Sequence, residues 1–340
     1  MNIDIKLDTV WKSNPETIKK FLDQRSDYEQ LCAEIAYILK KRLTWKDIEI
    51  SSVTSRAKTL KSFLEKITRK NYQSPFSEIT DFAGVRVVYL YQSDLETIEE
   101  IINKEFSIIE KVDKLNEKGI DKFGYGAIHY LVNLGENSSG ARYDDLKGLI
   151  CEIQVRTVLQ DAWAIIDHHL VYKRESDVPT NLQRKLNSLS GLFETADNQF
   201  EIIRQEREKY LSLLDKSSKS DDFLENEINL DTFVAYLKWK FPKLKAEYFQ
   251  GQTNTVYNII SSLKFKNLGE IDLIVENNKK YLKKLEKYCI DNLGKDFFTG
   301  QELSSSIIVW LLCGIANKDY IDKIIFGSET KEAFKKFKKE

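Results

Sequence analysis

The chain of 340 residues has few cysteines and histidines and no long apolar segment. Its four cysteines show no Cys-x-x-Cys spacing, and with only three histidines a structural zinc site is not expected. We expect free, buried thiols in a reducing compartment rather than a disulfide framework. No apolar run approaches the roughly 20 residues that a membrane span needs, and the first residues lack the pattern of a signal peptide. These absences predict a cytoplasmic protein that does not enter a membrane.

Net charge is also nearly absent, because 52 basic residues stand against 53 acidic ones. No overall field would draw such a chain onto nucleic acid or a membrane, although a local basic cleft remains allowed. Hydrophobic residues make up 42% of the sequence, which is enough for a core. The length suggests about two domains.

Hydrophobic periodicity predicts an α+β protein with a mixed β-sheet flanked by helices. Helical spacing predicts helices over 27–43, 57–70, 94–104 and 157–172. Strands are predicted at 48–53, 84–90 and 151–156, with one or two more after residue 107. Segment 84–90 is apolar on both faces, which is typical of a central strand.

The chain is predicted to divide into two domains. A long amphipathic helix over 181–214 either braces the sheet or forms the seam of a homo-oligomer. The polar segment 217–222 is predicted to be a linker. It would separate a sheet domain over 1–216 from a mostly α-helical accessory domain over 223–340, in which we find no catalytic motif.

Segment 151–157 is the most informative part of the chain. In a strand, Ile153 and Val155 would point to one face, and Glu152, Gln154 and Arg156 to the other. Three polar side chains in a row make a poor packing surface. They suit the floor of a site that handles charged oxygens and a metal.

A second polar group lies on the predicted helix 57–70. Lys58, Ser62 and Lys66 are spaced at i, i+4 and i+8, so they would share one helix face. Two lysines and a hydroxyl near a helix start suit the oxygens of a polyphosphate. An ordinary solvated face explains the same pattern.

Charged residues also border or interrupt the predicted strand 84–90. Arg86 lies inside this strand, where a charge needs a partner or a function. It could pair with Asp81 or Glu152, or stack its guanidinium on a base. Asp81 and Glu152 would also suit Mg²⁺, which takes one or two carboxylates together with substrate phosphates.

Two glycines flank Tyr125, in the segment that leads to His129. Flanking glycines let the backbone present the aromatic ring to a ligand, although a turn with a packed tyrosine fits equally.

Taken together, these segments resemble the synthetase domain of the RelA/SpoT family, which makes guanosine penta- and tetraphosphate alarmones. The resemblance covers about residues 45–175 and keeps the order of the family motifs. The matching segments are TSRAKTLKSFLEKI (54–67), DFAGVRVV (81–88), GYGAIHY (124–130) and EIQVRT (152–157), the last followed by Trp163-Ala164 and Tyr172-Lys173. The resemblance implies a nucleotidyltransferase-like sheet domain and a small synthetase of single function.

The resemblance also implies a reaction and its donor site. Pyrophosphate would move from ATP to the 3′-hydroxyl of GDP or GTP, with Mg²⁺ as cofactor. Arg56 and Arg86 would sandwich the adenine of ATP. Lys58 and Lys66 would hold its phosphates, with Ser62 in support.

On the acceptor side, the resemblance assigns Mg²⁺ binding to Asp81 and Glu152, and activation of the attacking hydroxyl to Glu152. Tyr125 would stack on the acceptor base. The other implied acceptor residues are Lys122, His129, Gln154 and Arg156.

The acceptor loop departs from the family pattern, and two alternatives follow. Gly126 and Ala127 stand where the family usually has Arg or Gln and then Ser, and the usual Lys-Pro-Asn run is missing. A toxin-type relative that pyrophosphorylates the 3′ end of tRNA is therefore the second hypothesis. It needs a basic patch, for which Lys111, Lys114, Lys118 and Lys122 are candidates. A degenerate nucleotide sensor without activity is the third, and the retained Asp81 and Glu152 argue against it.

Overall fold

A five-stranded mixed sheet organises the N-terminal part of the chain. The computed structural model describes residues 15–70, 72–113, 126–170, 180–217, 221–242, 250–293, 305–316, 320–321 and 335. The chain divides into two compact units, residues 1–204 and 205–340. This division falls inside a long helix and before the polar segment 217–222, so the domain limits at 216 and 223 stay a prediction.

The sheet confirms the predicted mixed architecture. Its strands are β1 (Ile50–Ala57), β2 (Ala83–Tyr89), β3 (Phe106–Asp113), β4 (Ile128–Leu134) and β5 (Cys151–Thr157). They lie in the order β1-β2-β5-β4-β3. Strands β2 and β5 are parallel, and the other neighbours are antiparallel. The predicted central strand, β2, lies second in the sheet, and β5 occupies the centre.

The helices of the first unit are α1 (Pro15–Trp45), α2 (Leu60–Lys70), α3 (Pro75–Glu78), α4 (Leu95–Glu105) and α5 (Val158–Leu170). A sixth helix, α6 (Thr180–Ser217), begins in this unit and ends in the second. Helix α2 begins at Leu60, three residues later than predicted. Strand β1 continues to Ala57, which pairs with Ala83, and this pairing delays the helix.

One face of the sheet is apolar and carries the core of this unit. Val85, Val87, Ile153 and Val155 on β2 and β5 are buried, together with Ile35 and other residues of α1. Because side chains alternate along a strand, this burial leaves the polar residues of both strands on the opposite face.

A cluster of aromatic rings fixes the segments that lead into the sheet. Phe63 of α2 stacks on Phe21 of α1, with ring centroids 4.5 Å apart. Phe82, immediately before β2, lies 5.6 Å from Phe63 and 5.5 Å from Phe76. The cluster holds α2 and the approach to β2 in one place, and these two elements carry Lys66 and Asp81.

Helix α6 packs on the end of the central strand. Thr157, the last residue of β5, donates a 2.6 Å hydrogen bond through Oγ1 to Asp197 of α6, and both residues are buried. Trp163 of α5 contacts Phe193 of α6, with centroids 5.8 Å apart. The bracing role of this helix is therefore observed, whereas a homo-oligomer seam along it stays a prediction.

The second unit is helical in its described part, as predicted. Its helices are α7 (Leu230–Lys240), α8 (Gln250–Ser261), α9 (Leu268–Asn278), α10 (Leu282–Leu293) and α11 (Ser305–Ala316). Phe233, Tyr236, Ile271, Val309 and Leu312 are buried in a core of its own. Across the described ranges of both units, no helix is long and apolar enough to cross a bilayer.

We expect the second unit to lose stability in acid through Glu276. This carboxylate accepts hydrogen bonds from Lys240 and Lys279, both at 2.5 Å, which lower its pKa to about 2. Because the pKa of Glu276 is lower in the folded state than its unfolded value of 4.5, the ionised carboxylate stabilises the fold at pH values above 4.5. This stabilisation is lost as the pH falls from 4.5 toward 2. The effect should be small because the side chain is 40% exposed.

Urea unfolding followed by circular dichroism between pH 7 and pH 2 checks this expectation. The difference in midpoint between the wild type and Glu276→Gln should be present at pH 6 and shrink toward pH 2. A difference that does not change with pH would contradict the role given to this carboxylate.

Candidate active site

The polar face of the sheet forms the floor of a cleft. Strand pairing aligns Arg56 with Gly84 and Gly84 with Glu152. The next row aligns Arg86 with Gln154 and Gln154 with His129. Residues paired across strands point to the same face, so four strands contribute to one surface. A cleft of about 340 Å³ lies over it, between β1, β2, β5 and the start of α2.

Two arginines stand on this floor as diagonal neighbours. Arg56 pairs with Gly84, and Arg86 lies two residues farther along β2. Diagonal neighbours on one face of an antiparallel pair are about 7–8 Å apart. This distance separates their backbones, and both side chains line the same cleft. Both arginines therefore lie on the side of the sheet where a flat aromatic ring would bind.

Asp81 holds two lysines at the edge of the cleft. Its Oδ2 lies 2.8 Å from Lys58 Nζ, and its Oδ1 lies 2.9 Å from Lys66 Nζ. Burial alone would raise the pKa of Asp81, but the hydrogen bonds and charges of both lysines lower it below its ordinary value. The two lysines therefore converge on one negative group, as they would on phosphate oxygens.

The predicted placement of Lys58 on a helix face is wrong. Lys58 precedes α2, and its backbone N–H donates to the carbonyl of Phe82 at 2.8 Å. That bond ties the end of β1 to the approach of β2, which is why Lys58 still meets Lys66 at Asp81.

The N-terminus of α2 faces the same cleft. Thr59 caps this helix, because its Oγ1 accepts from the backbone N–H of Ser62 at 3.2 Å. Thr59 Oγ1 also donates to Ser62 Oγ at 3.0 Å, and both residues line the cleft. Helix N-termini favour anions, so this end adds to the attraction of the lysines for phosphate.

Glu152 lies at the centre of the floor with two hydrogen-bonding neighbours. His129 Nδ1 is 2.7 Å from its Oε1, and Gln154 Nε2 donates to its Oε2 at 3.0 Å. Burial alone would raise the pKa of Glu152, but the contacts with His129 and Gln154 lower it, while the nearby Asp81 acts against them. The carboxylate is therefore ionised at neutral pH and fixed in orientation.

The predicted partners of Arg86 are wrong. Its Nη1 lies 3.1 Å from Oδ1 of Asp161, on the first turn of α5, rather than against Asp81 or Glu152. The same Asp161 oxygen lies 3.5 Å from Nη1 of Arg156. Arg156 in turn donates through Nη2 to Gln154 Oε1 at 2.7 Å. Arg156 is only 6% exposed, so it continues the polar row of β5 into a buried part of the same face.

The structure brings together most of the residues that the sequence analysis selected. Those that line the cleft are Arg56, Lys58, Ser62, Asp81, Arg86, Glu152 and Gln154. Lys66 contacts Asp81, and His129 contacts Glu152, so both also belong to the site. Tyr125 and Lys122 lie outside the described residues, as do Lys114 and Lys118 of the suggested basic patch. The fourth lysine, Lys111, forms an ion pair with Glu99 at 2.8 Å.

The donor set fits a hard divalent cation bound together with a nucleotide. Two carboxylates, Asp81 and Glu152, line one cleft. Within the described ranges, no three acidic, histidine or cysteine side chains are grouped to hold a metal by themselves. Mg²⁺ typically uses one or two protein carboxylates and completes its shell with water and phosphate oxygens.

Sequence reasoning missed two residues of the site, Thr59 and Asp161. Thr59 could have been found as a helix cap three residues before Ser62. Asp161 lies in the first turn of a helix, where the helix dipole alone favours an acidic residue. Its position in the sequence therefore gave no sign of a contact with the sheet.

Comparison with known proteins confirms the family resemblance of this part of the chain. Residues 55–177 match the model of the region found in RelA / SpoT proteins. This segment runs from β1 past α5 and contains every residue that lines the cleft except Thr54.

Two curated relatives come from Bacillus subtilis. The GTP pyrophosphokinase YjbM is 28% identical over 206 residues, which are 57% of this chain and 93% of that protein. The GTP pyrophosphokinase YwaC is 27% identical over 163 residues, 46% of this chain and 75% of that protein. Among solved structures, the small alarmone synthetase 1 of Bacillus subtilis is 26% identical, with a TM-score of 0.47 over 56% of this chain and 98% of that one.

Proposed function

We propose that the RelA/SpoT region at residues 55–177 is a Mg²⁺-dependent pyrophosphokinase. It transfers the β,γ-pyrophosphate of ATP to the 3′-hydroxyl of GDP or GTP and releases AMP. The two curated relatives carry the name GTP pyrophosphokinase. The observation that carries the proposal is the cleft itself, where a pair of arginines, two converging lysines and two carboxylates surround a space of nucleotide size.

On the donor side, each group of the cleft has a matching part of ATP. Arg56 and Arg86, which both line the cleft, would stack on the two faces of adenine. Lys58 and Lys66 would exchange Asp81 for the phosphate oxygens. Ser62 and the N-terminus of α2 add hydrogen-bond donors for the same chain of phosphates.

On the acceptor side, Glu152 would act on the attacking hydroxyl. The acceptor's 3′-oxygen would form a bond to the β-phosphorus of ATP as the bond from that phosphorus to the AMP oxygen breaks. Glu152 accepts the hydroxyl proton, and His129 and Gln154 keep its two oxygens in position. Mg²⁺ held by Asp81 and Glu152 would supply positive charge to the phosphate oxygens. Such a transfer depends on positioning and charge neutralisation more than on covalent catalysis.

A product assay with γ-labelled ATP and Mg²⁺ tests the proposal. GDP, GTP and deacylated tRNA are offered separately, and a reaction without acceptor measures hydrolysis. We expect the label to appear in guanosine tetra- or pentaphosphate, with stoichiometric AMP. Label that moves only to tRNA would replace this acceptor with the toxin-type one, for which the altered residues Gly126 and Ala127 are the motivation. Nucleotide binding without any transfer would favour the sensor hypothesis.

A further inference from the structure

We propose that Asp161 is a positioning residue that couples the donor side of the cleft to the strand carrying Glu152. The inference rests on the proposed function, because it assigns Arg86 to ATP and β5 to catalysis. Asp161 is not among the residues that line the cleft. In the described part of the chain it pairs with Arg86, which lines the cleft, and with Arg156, which is buried.

One carboxylate oxygen serves both arginines. Asp161 Oδ1 is 3.1 Å from Arg86 Nη1 and 3.5 Å from Arg156 Nη1, and both contacts are ion pairs without hydrogen-bond geometry. Burial and the nearby charge of Arg86 both lower the pKa of Arg156, and the charge of Asp161 acts in the opposite direction. The carboxylate thus lies close to both cations and offsets their mutual repulsion.

Few other contacts could replace Asp161. Among the described residues, the buried Nε atoms of Arg86 and Arg156 donate to no acceptor. Over the ranges that the structure describes, Asp161 is also the only acidic residue that forms an ion pair with Arg86. Loss of the carboxylate would leave Arg86 free to swing away from its place opposite Arg56.

The contacts continue from Asp161 to the catalytic carboxylate. Arg156 donates to Gln154 at 2.7 Å, and Gln154 donates to Glu152 at 3.0 Å. Asp161 thus contacts both Arg86, on the donor side of the cleft, and Arg156, the last member of the polar row on β5. An arginine that is ordered by bound adenine would also steady this row, so donor and acceptor binding should favour each other.

The variant Asp161→Asn tests this arrangement by removing the charge at constant size. Affinity for a non-hydrolysable ATP analogue is measured by titration calorimetry, and the KM for ATP is measured in the transfer assay. We expect both to weaken about tenfold, because removing one partner of a partly buried ion pair leaves the charge of Arg86 uncompensated. Asp161→Glu, which keeps the charge, should recover part of the affinity. The matched control is Asp145→Asn, an exposed acid outside the cleft, which should leave both values unchanged.

A double-variant cycle gives the decisive result. If Asp161 acts through Arg86, then Asp161→Asn in an Arg86→Ala background should change ATP-analogue affinity less than twofold. Effects that multiply in the double variant would overturn the proposal, and so would an unchanged affinity in Asp161→Asn. Binding of the analogue needs no turnover. A wild type that binds the analogue but transfers nothing would therefore refute the proposed function, and the affinities of the variants would still decide the role of Asp161.

Discussion

Replacing Glu152 with Gln should abolish pyrophosphate transfer while ATP binding survives. Gln has nearly the same shape but is neutral, so it neither accepts the hydroxyl proton nor offers a charge to Mg²⁺. We expect kcat to fall at least about 10³-fold, since a general base and an electrostatic contact are lost together. Affinity for the ATP analogue should change little, because Arg56, Lys58 and Lys66 remain.

The control for this variant is Glu110→Gln, which removes one exposed carboxylate from β3 of the same unit. It should keep wild-type kcat and KM values. Turnover in Glu152→Gln within a few fold of the wild type would refute the role given to Glu152, whatever the acceptor proves to be.

Replacing Asp81 with Asn should move binding and catalysis in opposite directions. Asp81 forms ion pairs with both Lys58 and Lys66, one through each carboxylate oxygen. Its removal frees two cations for phosphate, and loss of one unit charge at about 4 Å in water is worth about 1 kcal/mol. We therefore expect metal-free ATP analogue to bind about fivefold tighter. Mg²⁺-dependent transfer should fall about 100-fold or more, because one of two metal carboxylates is gone.

Calorimetry in the presence of a chelator measures the first effect, and initial rates across a Mg²⁺ titration measure the second. Asp23→Asn is the charge-matched control, because Asp23 is exposed on α1. Weaker metal-free binding in Asp81→Asn would mean that this carboxylate organises the lysines instead of competing with phosphate for them.

The sequence predicted the floor of the cleft because strand alternation is a local property. The pattern of 151–157 already placed Glu152, Gln154 and Arg156 on one face, and the hydrogen bonds among them confirm that arrangement. The pairing of Asp81 with two lysines was not predicted from the sequence. It depends on a backbone bond between Lys58 and Phe82, which joins two segments that periodicity treats separately.

The partner of Arg86 could not be predicted from periodicity. Charge balance requires an anion near a cation inside a strand, but it does not say which of several carboxylates approaches. Asp161 arrives from α5, whose position is set by packing against the sheet and by contacts such as that of Trp163 with α6. The start of α2 was misplaced for a similar reason, because the pairing of Ala57 with Ala83 joins two separate segments.

The charges around the cleft give it a field opposite to that of the whole chain. Five basic side chains, three of them arginines, stand beside three acids: Arg56, Lys58, Lys66, Arg86 and Arg156 against Asp81, Glu152 and Asp161. The chain as a whole carries a net charge of −1. A nucleotide polyanion is thus attracted only within about one Debye length, roughly 8 Å at physiological ionic strength. Its capture rate therefore depends on salt, although the protein as a whole does not concentrate anions around itself.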